Sequence, residues 1–273
     1  MNRKIQFKQL LDDAKSIEDP KMLEWHYIGT GNPNADILIV GKEVAFDETT
    51  DEGQKQYERE FIDHFSNWER DIDKAASDIA DCDGSNYSPL YPYKGQCKQI
   101  DNWKKSQEEG HNKGTNRTWY NYQKLTNYIF DQPNNDKIDF HERVFITEMN
   151  SSPSAKTKDA SKESVDFRKK YFKHEFFRSF PIVIVAGLGK EYYMITPERN
   201  DIEETFGVKF IKKVPGEKHS QSFWIHTSSN PKKIVINTRQ LSMNTSNELL
   251  EKISKTIKAW ESGDEDFDVL FME

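Results

Sequence analysis

Apolar residues fall into short continuous runs that alternate with stretches in which they recur at helical spacing. A short continuous apolar run is typical of a strand covered on both faces. Such runs predict four central strands, at residues 35–41, 142–149, 181–187 and 233–237. Helical spacing predicts helices at 3–19, 51–77, 118–130, 158–177 and 246–260, and an antiparallel excursion is predicted at 208–214 and 222–226. The alternation predicts a three-layer α/β/α fold, with helices on both faces of a mostly parallel sheet.

A single domain is expected to span residues 1–273, because one large α/β domain with long loops accommodates this length. Residues 1–34 form its N-terminal helix and lead-in. Residues 78–117 lack periodicity and are rich in Gly, Pro, Asn and Tyr. An insertion loop of that length is usually functional or disordered. Residues 261–273 form an acidic tail.

Membrane and export signals are missing from the sequence pattern. No apolar run approaches the roughly 20 residues that span a bilayer, and residues 1–8 lack the apolar core of a signal peptide. A cytoplasmic, soluble protein without a membrane partner is therefore expected. The two cysteines, Cys82 and Cys97, cannot form a four-cysteine iron–sulfur or zinc site. We expect neither a metal nor a cofactor.

Charge is distributed unevenly along the chain. The net charge of −7 alone weakens a nucleic-acid hypothesis. However, residues 43–83 are rich in acids, whereas 150–178 and 205–242 are locally basic. This distribution is compatible with one DNA-facing surface. Ordinary solvated faces are the alternative interpretation.

Candidate functional residues follow the predicted strands, because ligands of parallel sheets bind beyond the carboxyl ends of the strands. Three polar segments occupy such positions: Gly41-Lys42-Glu43, Asn150-Ser151-Ser152-Pro153 and Asn237-Thr238-Arg239-Gln240-Leu241-Ser242. A glycine allows backbone to approach a ligand, and an Asn amide offers both a donor and an acceptor. Each segment also has a simpler explanation, as a turn or as a helix cap with incidental side chains.

In this order, the three segments resemble the motifs of the uracil-DNA glycosylase superfamily. The family's first motif begins with Gly, and its third residue, here Glu43, helps to position the attacking water. A second signature, N-x-x-P, carries a base-selecting Asn and matches residues 150–153. The third, H-P-S-P-L-S, supplies a His for the leaving base and a Leu that wedges into the duplex. Here only Leu241 and Ser242 of that motif are kept, and Asn237 stands at the His position.

The resemblance implies a DNA glycosylase, which hydrolyses the N-glycosidic bond of a flipped-out uracil or modified base in repair or phage defence. Glu43 and Asn237 would be catalytic, the first toward the water and the second toward the leaving base. The implied partner is single- or double-stranded DNA, bound by a monomer. The other implied contacts are Gly41, Asn150, Trp119 and Tyr120 to the base, and Lys156, Lys158, Arg239, Leu241 and Ser242 to DNA.

Two departures from the family pattern leave alternatives open. Asn237 in place of His removes the usual electrostatic help to the leaving base, and no Pro follows Glu43. His226 is a candidate replacement if the fold brings it near. The altered third motif and the long loop suggest a base other than plain uracil. The alternatives are a non-catalytic module that binds DNA, a nucleotide or a protein, and a hydrolase of free nucleosides or nucleotides.

Overall fold

The computed structural model describes residues 3–263, apart from 46, 48, 83–85, 97–107, 109–115, 134–136, 155–162, 188, 190–191, 194, 196–199, 217, 219–220 and 243. Its described part is an α/β protein built on a mixed seven-stranded sheet. The strands are β1 (Thr30–Gly31), β2 (Ile37–Ala45), β3 (Val144–Ser154), β4 (Ile182–Ala186), β5 (Lys209–Val214), β6 (Phe223–Ser229) and β7 (Lys232–Thr238).

The sheet has a parallel centre and antiparallel edges. The strand order is β1-β3-β2-β4-β7-β6-β5, and β3, β2, β4 and β7 run parallel. The β5–β6 and β6–β7 pairs are antiparallel, which confirms the predicted excursion. The carboxyl ends of the four parallel strands therefore meet at one edge of the sheet.

Helices cover both faces of the sheet. They are α1 (Arg3–Ala14), α2 (Pro20–Trp25), α3 (Asp51–Tyr57), α4 (His64–Asp71), α5 (Asn116–Ile129), α6 (Glu163–Tyr171), α7 (Glu175–Arg178), α8 (Asp201–Phe206) and α9 (Asn247–Ser262). Leu38 and Val40 of β2 pack in a core with α1, α4, α6, α7 and α8, on what we call the α1 face. The alternate residues Ile37 and Ile39 pack with α5 and α9, on the α9 face. The expectation of helices on both faces of the sheet is confirmed.

The helix predicted at 51–77 is wrong in two respects, because the structure divides it and because its second part, α4, ends at Asp71. A π-helical turn, Glu58–Ile62, follows α3, and the Asp63 amide donates to the Glu58 carbonyl five residues earlier, at 2.7 Å. The wider turn rotates the helix that follows. As a result His64 is 1% exposed while Phe65 is only partly buried, although the helical spacing predicted the reverse.

Several predicted boundaries also move. The first helix, predicted to run to residue 19, ends at Ala14, so Pro20 does not end it. Pro20 instead opens α2, in which the Asp19 side chain accepts from the Lys21 amide as the N-cap. Strand β2 continues past Gly41 to Ala45, and β3 continues to Ser154. Both extensions carry predicted functional residues into the sheet itself. No described helix is long and apolar enough to cross a membrane.

Candidate active site at the strand ends

Glu43 and Asn150 lie side by side on neighbouring strands, as a direct pair in the parallel register of β2 and β3. The Glu43 carboxylate accepts a hydrogen bond from the hydroxyl of Tyr192. Asn150 is 2% exposed, and its Oδ1 accepts from the Ser152 amide at 3.0 Å and from the hydroxyl of Ser164 at the start of α6. Two of the predicted site residues are therefore brought together, each held by a defined partner.

A second carboxyl group, Glu148, lies beside this pair and was not among the residues that sequence reasoning selected. It is opposite Gly41 in the register. A side chain at Gly41 would collide with it, since a Cβ there would lie 2.2 Å from Glu148 Oε2. That oxygen is sealed from solvent and has no hydrogen-bond partner among the described residues. Gly41 thus serves the site by leaving room for the Glu148 carboxyl.

The pKa of Glu148 is raised to about 8, chiefly by burial and also by the nearby charge of Glu43, against the opposing charge of Arg168. Desolvation and a neighbouring like charge both disfavour the ionised carboxylate. Glu148 is consequently protonated at neutral pH. A carboxyl group that retains its proton beside a second carboxyl is an arrangement suited to acid–base chemistry.

The guanidinium of Arg168, on α6, forms hydrogen bonds to the part of β3 that carries Glu148. Arg168 is fully buried. It donates to the Glu148 carbonyl at 3.1 Å, to the Thr147 hydroxyl at 2.6 Å and to the carbonyls of Trp25 and Tyr27. Burial lowers its pKa to about 10, so the group stays charged at neutral pH. Arg168 is a positioning residue, because it fixes the β3 backbone on which Glu148 and Asn150 are mounted.

Asn237 does not lie level with Glu43 and Asn150. Val40 pairs with Val185, and Val185 pairs with Asn237. Asn237 is thus level with Val40, three residues before Glu43, which is a distance of about 10 Å along the strand direction. Because β7 is two strands away from β2, Asn237 is also about 10 Å from Glu43 across the sheet. It is fully buried, and neither of its amide atoms has a hydrogen-bond partner among the described residues. The amide group of Asn237 is therefore buried in the protein interior and is not exposed at the edge of the sheet.

Leu241 is buried as well, and the expectation that it is exposed is wrong. Its side chain has 0% exposure and belongs to the core on the α9 face. The backbone around it is tied down, since the Asn121 amide donates to the carbonyls of Leu241 and Ser242 at 3.2 and 3.0 Å. A residue after a buried strand can turn back into the core, and here α5 and α9 supply that core.

The remaining predicted DNA contacts are placed in part. Arg239 and Ser242 are half-buried, and Arg239 donates to the Asn244 carbonyl at 3.5 Å. Lys156 and Lys158 lie outside the described residues. The segment 239–242 stands at the same edge of the sheet as Glu43, because it follows the carboxyl end of β7.

The two aromatic candidates for base stacking differ in surroundings. Trp119 is stacked on Phe140 with ring centroids 5.7 Å apart, and it also contacts His141 at 5.6 Å. Its indole nitrogen is buried without a hydrogen-bond partner among the described residues. Tyr120 is half-buried, with the Lys124 ammonium 4.9 Å from its ring centroid. Both side chains are half-buried and pack against the core on the α9 face.

His226 lies apart from the carboxyl pair. It is fully buried inside β6, opposite Val235, and two strands, β4 and β7, lie between β6 and β2 in the sheet order. Its Nε2 is 3.4 Å from the Asn200 amide nitrogen, and burial lowers its pKa to about 4. The structure therefore does not bring this histidine near Glu43.

Comparison of the chain with protein-family models, with curated proteins and with solved structures found no match. Within the described residues, no group of three or more His, Cys, Asp or Glu side chains is arranged to hold a metal ion. The site is therefore defined by its own geometry: two carboxyl groups and one asparagine at the carboxyl ends of β2 and β3.

Proposed function

We propose that the protein is a DNA glycosylase of the uracil-DNA glycosylase type, which hydrolyses the N-glycosidic bond of a base extruded from DNA. The observation that carries the proposal is the pairing of Glu43 with Asn150 at neighbouring strand ends. A carboxylate can orient water and offset the positive charge that develops on the sugar, and an amide can bind a base edge.

The roles follow from the contacts of each side chain. Glu43 is oriented by the Tyr192 hydroxyl, so its carboxylate keeps a fixed direction toward the water that it activates. Asn150 Oδ1 already accepts two hydrogen bonds, which locks the side chain. The amide is thereby fixed beside Glu43, and we assign it to recognition of the base. Preorganised polar groups contribute most when they need not reorient during the reaction.

The DNA-binding part of the proposal rests on the segment after β7 and on the locally basic sequence. Arg239 and Ser242 contact phosphates, and Tyr120 stacks on the extruded base, where stacking is worth about 1–3 kcal/mol per base. Leu241 takes no part, because its side chain is buried in the core. A base bulkier than uracil remains part of the proposal, motivated by Asn237 at the usual histidine position.

The test is release of free base from single- and double-stranded oligonucleotides that each carry uracil or a modified pyrimidine, and from the matching free nucleosides. We expect release from DNA, and a loss of about 10²–10⁴-fold in Glu43→Gln, the usual contribution of a positioned acid–base group. The matched control is Glu142→Gln, an exposed glutamate that precedes β3.

Three other outcomes would overturn the proposal. Release from free nucleosides alone would make the protein a nucleoside hydrolase, as its net charge of −7 would favour. Salt-sensitive retention of DNA in a mobility assay, without release of any base, would make it a non-catalytic binding module. Full activity in Glu43→Gln would remove Glu43 from the mechanism.

A further inference from the structure

The geometry points to Glu148 as a further catalytic residue, the proton donor to the departing base. This inference rests on the proposed function and adds a residue that no motif of the sequence indicated. It begins with the register of β2 and β3. Glu148 on β3 pairs with Gly41 on β2, and Glu43 lies two residues farther along β2. The two carboxyl groups thus flank one point at the mouth of the strands.

The position of the Glu148 carboxyl depends on Gly41. The carboxyl oxygen Oε2 occupies the space in which any other residue would carry its Cβ. This oxygen has no accessible surface and no hydrogen-bond partner among the described residues. Buried polar atoms without partners are rare in proteins and require an explanation. A proton on this group, transferred to a ligand during each turnover, explains it.

Among the described residues, four ionisable groups interact electrostatically with Glu148 from the surrounding elements. Glu43 on β2 carries a like charge that favours the protonated form of Glu148, and Arg168 on α6 opposes it. Tyr27 and Tyr122 are buried, and burial raises their pKa values well above the ordinary range, so both remain neutral. Burial of Glu148 and the charge of Glu43 outweigh the guanidinium, and together they keep the proton on Glu148 at neutral pH.

The reaction balances with these two carboxyl groups. The water oxygen forms a bond to the sugar C1′ as the C1′–N bond breaks, and the electron pair of that bond leaves with the base. Glu148 gives its proton to the base, and Glu43 takes a proton from the water. The two carboxyl groups thereby exchange protonation states, and solvent restores them after the products leave. No oxidant, reductant or further reactant is required.

The test compares wild type, Glu148→Gln and the control Glu142→Gln on the best DNA substrate of the panel, across pH 5–10. We expect the wild-type kcat to be constant below pH 8 and to fall about tenfold per pH unit above it. In Glu148→Gln, kcat should fall about 10²-fold at pH 7, KM should change little, and the alkaline decline should disappear. A merely structural role would leave the pH profile unchanged.

A second readout does not depend on activity. With ¹³C-labelled glutamate carboxyls, the signal lost in Glu148→Gln identifies Glu148, and its titration gives the protonation state directly. A midpoint near 8 supports the inference, and a midpoint near the ordinary glutamate value overturns it. Wild-type kinetics in Glu148→Gln would overturn the donor role alone, whereas a wild type that releases no base would overturn the proposed function and the donor role together.

Discussion

The carboxyl ends of β2 and β3 differ sharply from the carboxyl end of β7, although all three belong to the same parallel sheet. At β2 and β3, the polar side chains of Glu43 and Asn150 are held by Tyr192, Ser152 and Ser164. At β7, Asn237 is sealed without a hydrogen-bond partner among the described residues, and Leu241 folds back into the core.

The difference indicates that the ends of β2 and β3 form the candidate site, whereas the end of β7 has a structural role. Groups that must meet a ligand need fixed orientation, and the β2–β3 end offers it through partnered side chains on extended strands, where Glu43 is half-buried. The β7 end instead fixes the backbone, through the hydrogen bonds of Asn121 to the carbonyls of residues 241 and 242. Position after a parallel strand thus makes a residue a candidate, and its burial and partners decide its role.

The largest expected effect falls on the β2–β3 end. Arg168→Met removes a donor from the carbonyls of Trp25, Tyr27 and Glu148, and it removes the positive charge that lowers the pKa of Glu148. Loss of a buried charged group with several partners costs about 3–5 kcal/mol. We expect a clear drop in the free energy of unfolding, measured by urea denaturation. Lys170→Met, an exposed change on the same helix, should stay close to wild type.

The β7 end responds to Leu241→Ala through stability. Truncation of a fully buried Leu typically costs about 2–5 kcal/mol. We therefore expect a lower Tm with unchanged salt dependence of DNA binding, measured at a temperature where the variant is folded. The exposed Ile211→Ala, at 41% exposure, is the control and should barely change Tm. A normal Tm combined with a selective loss of duplex binding would instead indicate that Leu241 acts as a wedge.

The two asparagines provide the most direct contrast between the ends. Asn150→Leu removes the acceptor of the Ser152 amide and the Ser164 hydroxyl, and we expect destabilisation of about 1–3 kcal/mol. Asn237→Leu removes two buried polar atoms that have no partner within the described residues, so we expect an equal or higher free energy of unfolding. Urea denaturation of both variants measures the contrast. Equal destabilisation by the two changes would show that Asn237 is also held by partners.

Glu148, at the β2–β3 end, should also make the free energy of unfolding depend on pH. The pKa of Glu148 is about 8 in the folded protein, above its unfolded value near 4.3. The folded state therefore binds more protons between these values, and the free energy of unfolding falls as pH rises through this window. Glu148→Gln removes this decline, so its Tm should exceed that of wild type at pH 9 and approach it at pH 5. Thermal scans at both values test the sign, and parallel pH curves would contradict it.

Sequence patterns predicted the central strands well because an apolar run buried on both faces is a strong local signal. The helix at 51–77 was harder, since the π-helical turn at 58–62 is selected by which of His64 and Phe65 packs in the core. Which of these two side chains is buried depends on tertiary contacts, and local helix propensity does not predict it.

The site was predicted only in part. Glu43 and Asn150 follow from their places after two parallel strands. The sequence pattern does contain an indication of Glu148. Val144 and Ile146 are alternate residues that face one core, and position 148 continues this series with a charged residue where an apolar one is expected. Burial of Leu241 had no such signal. It results from the packing of α5 and α9, which are distant in sequence from each other.

The central claim is that Glu43 and Glu148 form one interacting pair at the mouth of β2 and β3. Its most direct test is the pKa of Glu148 in wild type and in Glu43→Gln, measured by ¹³C NMR of labelled carboxyl groups. Because the charge of Glu43 helps to raise this pKa, removing that charge should move the midpoint below 8. An unchanged midpoint would mean that the two carboxyl groups do not face each other, and the account would be wrong.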